Sequence, residues 1–500
     1  MPAIGVYLTM IRPVFALTCL AAYALAGPGR AGAQPALARA GARDTLQLSL
    51  EDAVATALRA SDETRLAAAQ TDVAEAQVMS ARAGALPQLR VNTSYSHVYE
   101  SARGNAVGSV FNQPNTYNVN AGITQPLFQG GRVVAGMRAA ADTRSASRLD
   151  EQETRRRLTV DVQRAYLDAL FSRRLAALQD SNVALASARV EQIEQLYAGG
   201  RAARYDVLRA RVERANLEPL AIQAHNDREL AVLELRRLLN LPVDRPLELT
   251  THVDPDGVRA LLPRLAALED SAVVPDRAGL RSAELAARAQ RENIAVARAD
   301  FLPTASISFN TGYQAFPPLG YGLPDRFGRA AAEFCPADSP AGRVCQNGGW
   351  FSDRSLSATL SFPVFDGMRA RSSLNVARAQ ARIAEIQLQQ ERETVALEVA
   401  RARAELRRAR AVYLAGQQNA GEAREAFQLA SLRFSRGLST QLEVSDAQLA
   451  LLTAQSSEAR ATFDLYLASA ELARALGRPI PFPPTAQSPS PRGSDDGADK

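Results

Sequence analysis

The chain has 500 residues, a formal net charge of +5 and 6% aromatic residues. That length exceeds what one hydrophobic core serves, so the chain is either several domains or one extended, repetitive structure. Long Ala- and Arg-rich stretches without glycine or proline favour the second and read as long helices. The basic residues are scattered among Glu and Asp along helical faces, as in EQETRRR and ARAELRRAR, with no basic stripe interleaved with aromatics, which argues against a nucleic-acid partner.

In chain order, residues 1–33 read as a secretory signal peptide. Arg12 precedes the apolar run PVFALTCLAAYALA, and small-x-small sites follow at Ala24 to Ala26 and at Ala31 to Ala33, with cleavage expected after Ala33. Cys19 lies inside the run behind Thr18, which departs from the small residue of a lipoprotein site, so no lipid anchor is expected. No later stretch reaches the ~18 uncharged apolar residues of a transmembrane helix. A part of this chain that enters a membrane must therefore do so as β-strands of a closed barrel.

The rest of the chain repeats itself. YAGGRAARYDV, starting at Tyr197, matches FSRGLSTQLEV, starting at Phe434, at an offset of 237 residues; QPLFQGGR at Gln125 matches FPVFDGMR at Phe362 at the same offset. ARAGALP at Ala81 matches ARADFLP at Ala297 at an offset of 216, which leaves a 21-residue insertion between Pro303 and Phe362. The halves are residues 34–242 and 264–480, joined by a segment at 243–263 containing HVDPDG; a Pro-, Ser- and Asp-rich tail, 481–500, reads as disordered.

Each half has the same internal order. A helix of moderate length, from about Leu50 to Ala85 and from about Leu265 to Ala299, runs unbroken to a Leu-Pro pair. Strict alternation follows: Leu89, Val91, Thr93 and Tyr95, then Tyr117, Val119, Ala121 and Ile123; in the second half Ala305, Ile307, Phe309 and Thr311, then Leu356, Ala358, Leu360 and Phe362. Each run suits a membrane strand of roughly 9 to 11 residues with one apolar and one small polar face. Helices free of proline run from Arg132 to about Leu196 and from Arg369 to about Arg433, each about 100 Å at 1.5 Å per residue, with partial heptads at Phe171, Leu178 and Leu185. Shorter helices return from Tyr205 to Leu239 and from Leu442 to Leu476. The two glycine motifs are the tips of these hairpins: Gly200 and Gly437 permit the reversal, Tyr197 and Phe434 can pack there, and Asp206 and Glu443 face the positive end of the returning helix.

In that duplicated order, the Leu-Pro strand entries, QPLFQGGR and FPVFDGMR, AYLDAL at Ala165 and the two glycine tips resemble the TolC family of bacterial outer membrane channel proteins, from Leu48 to Pro479. The resemblance implies a mixed α and β membrane protein: a homotrimer in which each chain gives four transmembrane strands to a twelve-stranded barrel and its helical hairpins to a periplasmic α-barrel duct. It implies the outer membrane channel-tunnel of a tripartite efflux or type I secretion system, passively joining a periplasmic adaptor and an inner membrane pump or ABC transporter to the outside. Gly200, Asp206, Val207, Gly437, Ser439, Glu443 and Val444 are then the adaptor-facing, aperture-forming tips. Glu422 and Glu425 stand where the family has an aspartate pair before the second tip.

The strand-to-strand loops then face outside. The inserted one holds Cys335 and Cys345, expected to form a disulfide in an oxidising compartment, with two free thiols as the alternative. Trp350 and Phe351 suit an aromatic girdle. His97, His225 and His252 are the only histidines, and none has metal-ligand spacing or a cysteine nucleophile nearby, so neither an enzyme, a metal site nor a cofactor is expected. The rival reading is a periplasmic helical-hairpin adaptor, which predicts one hairpin with soluble β-domains rather than two hairpins and four strands.

Overall fold

The computed structural model describes residues 45–100, 115–251, 277–316 and 350–479, with single positions 102, 258, 262, 263 and 265 between them. The chain divides into two units, Met1–Leu46 and Gln47–Lys500; of the first only residues 45 and 46 are described, so the fold is that of the second. The expected signal peptide, the tail, Cys335, Cys345 and His252 lie outside the described residues.

A short strand, β1 (Leu46–Leu48), precedes α1 (Leu50–Ala60) and α2 (Asp62–Ala83). The single helix expected from about Leu50 to Ala85 is broken at Ser61. Ser61 is extended (φ −63°, ψ 138°), its hydroxyl accepts the Glu63 N–H at 3.2 Å, and the Thr64 hydroxyl donates to its carbonyl at 2.8 Å. A serine hydroxyl that takes a backbone donor ends one helix and caps the next.

Strands β2 (Gln88–His97) and β3 (Asn115–Gln129) lead into α3 (Arg132–Ala198) and α4 (Arg204–Leu238). After β4 (Leu247–Leu249) come α5 (Ala278–Arg298), a 3-10 turn at Ala299–Phe301, β5 (Thr304–Ala315), β6 (Phe351–Ser361), α6 (Arg369–Ser435) and α7 (Gln441–Ala475). The long helices α3 and α6 have 67 residues each, and the returning helices α4 and α7 have 35 each.

The four longer strands form one antiparallel sheet in the order β2-β3-β5-β6; β1 and β4 form a second, two-stranded one. The registers carry the alternation across the sheet. Leu89 lies opposite Ile123, Ile123 opposite Phe309 and Phe309 opposite Leu356, an apolar row; the adjacent row is Arg90, Gly122, Asn310 and Ser355. Leu89, Ile123, Phe309 and Leu356 are all exposed. β3 is longer than expected, at 15 residues, because it continues through Gln125 and Pro126. The register shifts between Pro126 and Phe128, the place for a residue that has no N–H to give the ladder.

Helix α3 packs against α1, α2, α4, α5 and α7, while α6 packs against α5 and α7, so α5 and α7 join the two halves. The interior is densest midway along α3, where Leu158, Val162 and Tyr166 are fully buried, with Leu465, Leu472 and Leu476 also fully buried in and just after α7. The Tyr166 hydroxyl donates to the Leu48 carbonyl at 2.8 Å and accepts the Thr251 N–H at 3.2 Å, and the Thr251 hydroxyl accepts the Leu50 N–H at 2.9 Å. Burial pushes the Tyr166 phenol above its ordinary pKa, partly offset by its bonds to Thr251. Tyr166→Phe leaves a buried carbonyl and a buried amide without this partner. A loss of about 1–3 kcal/mol in thermal unfolding is expected; an unchanged melting curve would show that the hydroxyl contributes nothing.

The paired helix tips

Both tips are built by the same backbone device. At the end of α3, Gly200 has φ +70°; its N–H donates to the Tyr197 carbonyl at 3.0 Å and the Arg201 N–H donates to the Leu196 carbonyl at 2.8 Å. At the end of α6, Gly437 has φ +71°; its N–H donates to the Phe434 carbonyl at 2.9 Å and the Leu438 N–H to the Arg433 carbonyl at 2.8 Å. These paired bonds satisfy the last carbonyls of each helix and require a left-handed residue.

The returning helices are capped by opposite halves of one motif. In the first tip the Asp206 carboxylate accepts the Ala203 N–H at 3.0 Å. In the second, where Thr440 stands in place of Ala203, its hydroxyl accepts the Glu443 N–H at 3.4 Å and Glu443 lies 4.0 Å from Arg433. Asp206 and Glu443 thus both sit in the first turn, but only Asp206 reaches back to the N-cap backbone. Ser439 donates its hydroxyl to the Ala430 carbonyl at 3.4 Å, which holds the second tip against the end of α6.

Two expectations change here. Tyr197 does not pack the reversal; it is 48% exposed, and the core of the first tip is Val190, Ile193, Val207 and Ala210 with Ala202 against them. Val207 and Val444, expected on the adaptor-facing surface, are buried, at 7% and 2% exposure. The valine after each carboxylate closes the hairpin interior, so the exposed surface passes to its neighbours. Those differ between tips: Arg201, Arg204 and Tyr205 are exposed on the first, Leu438 and Leu442 on the second. The missed core residues Val190 and Ile193 sit on α3 at spacing that faces Val207, a signal that helical periodicity carried.

Just behind the tips a polar relay joins the halves. Arg189 of α3 donates to the Ser445 hydroxyl of α7 at 3.1 Å, Ser445 donates to Glu213 of α4 at 3.0 Å, and Arg209 pairs with Glu213 at 3.1 Å. Burial pulls the Arg189 guanidinium below its ordinary pKa, opposed by Glu213. The remaining sequence candidates lie elsewhere. His225 bonds Asp180 at 2.9 Å, and His97 bonds Asn115 at 2.7 Å at the end of β2. Among the described residues no group of three or more His, Cys, Asp or Glu could hold a metal ion.

A sheet with an exposed apolar row, carried on paired helices about three times as long as a bilayer core is thick, defines a membrane conduit. The chain belongs to the outer membrane efflux protein family, whose model matches residues 53–241 and 275–478. It is 26% identical over 434 residues to the pyoverdine export outer membrane protein OpmQ of Pseudomonas putida, covering 82% of each chain. It is 27% identical to the outer membrane protein OprJ of Pseudomonas aeruginosa, covering 81% of this chain and 79% of that one. Among solved structures, VceC of Vibrio cholerae superposes with a TM-score of 0.67 at 20% identity, over 86% of this chain and 97% of that one. CmeC of Campylobacter jejuni gives 0.69 at 16% identity, over 86% and 85%. The protein is an outer membrane efflux channel, a transport protein of the outer membrane.

Proposed function

We propose that three copies of the chain close their four-stranded sheets into one twelve-stranded barrel and join their helices into a periplasmic duct, with residues 34–242 and 264–480 as two structural repeats linked by 243–263. The open sheet carries this reading. Its edge strands β2 and β6 leave ladder groups unpaired, which lipid does not tolerate, and four strands cannot close on themselves. Placing β6 of one copy beside β2 of the next removes every edge and turns the apolar row of Leu89, Ile123, Phe309 and Leu356 toward lipid. The number three follows the family resemblance. Trp350 and Phe351, the latter stacked on Phe316 at 6.3 Å between centroids, suit the outer girdle.

The tips meet a periplasmic adaptor through Gly200, Asp206, Gly437, Ser439 and Glu443 and the exposed residues around them. The duct conducts passively; an inner membrane pump or ATP-driven transporter supplies the energy, and adaptor contact biases the tip helices toward an open arrangement. Pyoverdine export by one relative supports a small-molecule cargo. Cysteines introduced beside Gly200 and Gly437 and crosslinked in intact cells test the reading. Recovery of an adaptor with a proton-driven pump makes this an efflux duct, and one with an ATP-driven transporter a secretion duct. Recovery of no inner membrane partner during active transport overturns the tip assignment.

A further inference from the structure

Four charged side chains from four helices meet where the halves abut. Arg277, the N-cap residue of α5, donates to Glu153 of α3 through Nε at 3.0 Å and Nη2 at 2.9 Å, and its Nη1 pairs with Glu398 of α6. Arg474, in the last turn of α7, donates to Glu153 at 3.3 Å and lies 3.7 Å from Glu398. The Arg277 and Glu153 side chains are only 7% and 9% exposed. Burial pulls the Arg277 guanidinium down, but the carboxylates of Glu153 and Glu398 outweigh it and its pKa is raised.

Such a cluster is poor at stabilising a fold, because desolvating the ions offsets their attraction, and apolar residues of similar volume do as well or better. It is good at rejecting alternatives, since a charge displaced from its partner stays buried and unpaired. The α3–α7 contact has alternatives to reject. On α7, Gln441, Gln448 and Gln455 fall seven residues apart, and Gln448 bonds Asn182 of α3 at 2.8 Å. A slide of one heptad along α3, about 10 Å, presents another glutamine to Asn182. Among the other contacts between α3 and α7, Arg164 to Glu471 and Arg460 to Asp168 are half-exposed ion pairs that solvent replaces cheaply, while Arg189 to Ser445 near the tips and the edge-on rings of Phe171 and Phe463 add two further contacts.

The duplication did not supply the cluster. The repeat-equivalents of Arg277, Glu398, Arg474 and Glu153 are Ser61, Asp161, Arg237 and Gln390; Ser61 is a helix cap, and Arg237 pairs with Glu234 on its own helix. Glu153 is the one member from the first half, held by two arginines of the second.

We propose that the Glu153, Arg277, Glu398 and Arg474 cluster is a register lock: it fixes which turn of α7 faces which turn of α3, and so the level of one tip against the other. The test uses the full chain with Cys335 and Cys345 replaced by serine and Asn182→Cys paired in turn with Gln441→Cys, Gln448→Cys or Gln455→Cys, joined by a short bifunctional maleimide. With the cluster intact, only the 182–448 pair links. In the fourfold variant Glu153→Gln, Arg277→Met, Glu398→Gln, Arg474→Met, melting should be unchanged or higher. The 182–448 yield should fall at least threefold, with a 182–441 or 182–455 product appearing. An unchanged 182–448 yield without other products overturns the lock. If the fourfold variant fails to accumulate, the double variant Glu153→Gln, Arg474→Met, which keeps Arg277 against Glu398, is read by the same criterion; failure of both to fold makes the cluster a stability element and overturns the lock as well. Because the crosslink lies within one chain, the result does not depend on barrel closure.

Discussion

Replacing Gly200 and Gly437 together with valine abolishes export while leaving the protein folded in the outer membrane. Both residues have φ near +70°, and nothing lies within 4 Å of a Cβ built on either, so the cost is conformational rather than steric. A left-handed L-residue costs about 1–2 kcal/mol, and a β-branched one more, because its Cβ substituents crowd the backbone there. The helices therefore relieve the strain by releasing the paired bonds of Arg201 to Leu196 and Leu438 to Arg433. Only the tips change shape, since the densest part of the interior lies far along α3 and α7. Transport assays beside the amount of protein in outer membrane fractions check this. Loss of the protein from that fraction would assign the glycines to folding, and retained export would remove the tips from the transport cycle.

The second large effect separates strain from packing. Gly130 and Gly367 occupy equivalent junctions between strand and long helix, with φ +60° and +67°. A Cβ on Gly367 meets nothing within 4 Å, whereas one on Gly130 lies 2.9 Å from the Ala299 carbonyl and 2.9 Å from the Leu302 Cβ. Gly367→Ala should cost only the left-handed penalty of about 1–2 kcal/mol. Gly130→Ala should lose a further ~1–3 kcal/mol, because it also displaces the 3-10 turn, to which Arg132 is tied through Asp300. Melting of the two purified variants side by side gives the difference. Equal losses would mean that the turn moves aside without cost.

How much of the fold and the tips is legible in the sequence varies by residue. The long helices end within two residues of where Leu196 and Arg433 place them, because absence of breakers and a left-handed glycine are local signals. The strand alternation is legible for the same reason, since side chains on a strand change face at every residue. Ser61 is not: a serine in a helical pattern is compatible with a helix interior or with a cap, and the decision depends on whether the chain must turn there. Tyr197 misleads in the other direction, since an aromatic at a turn looks like packing, yet Ile193 and Val207 fill that space.

The sequence by itself determined the duplication, the helices and strands, the two glycine reversals and the family, all of which rest on periodicity and on residues that permit one backbone conformation. Tertiary structure decided the order of strands in the sheet, the proline bulge in β3, the burial of Val207 and Val444, and the gathering of Glu153, Arg277, Glu398 and Arg474, which lie up to 321 residues apart. Arginine and glutamate read alike on a solvated face and in a buried pair. Only the approach of two helices, which removes water from between them, tells the one from the other.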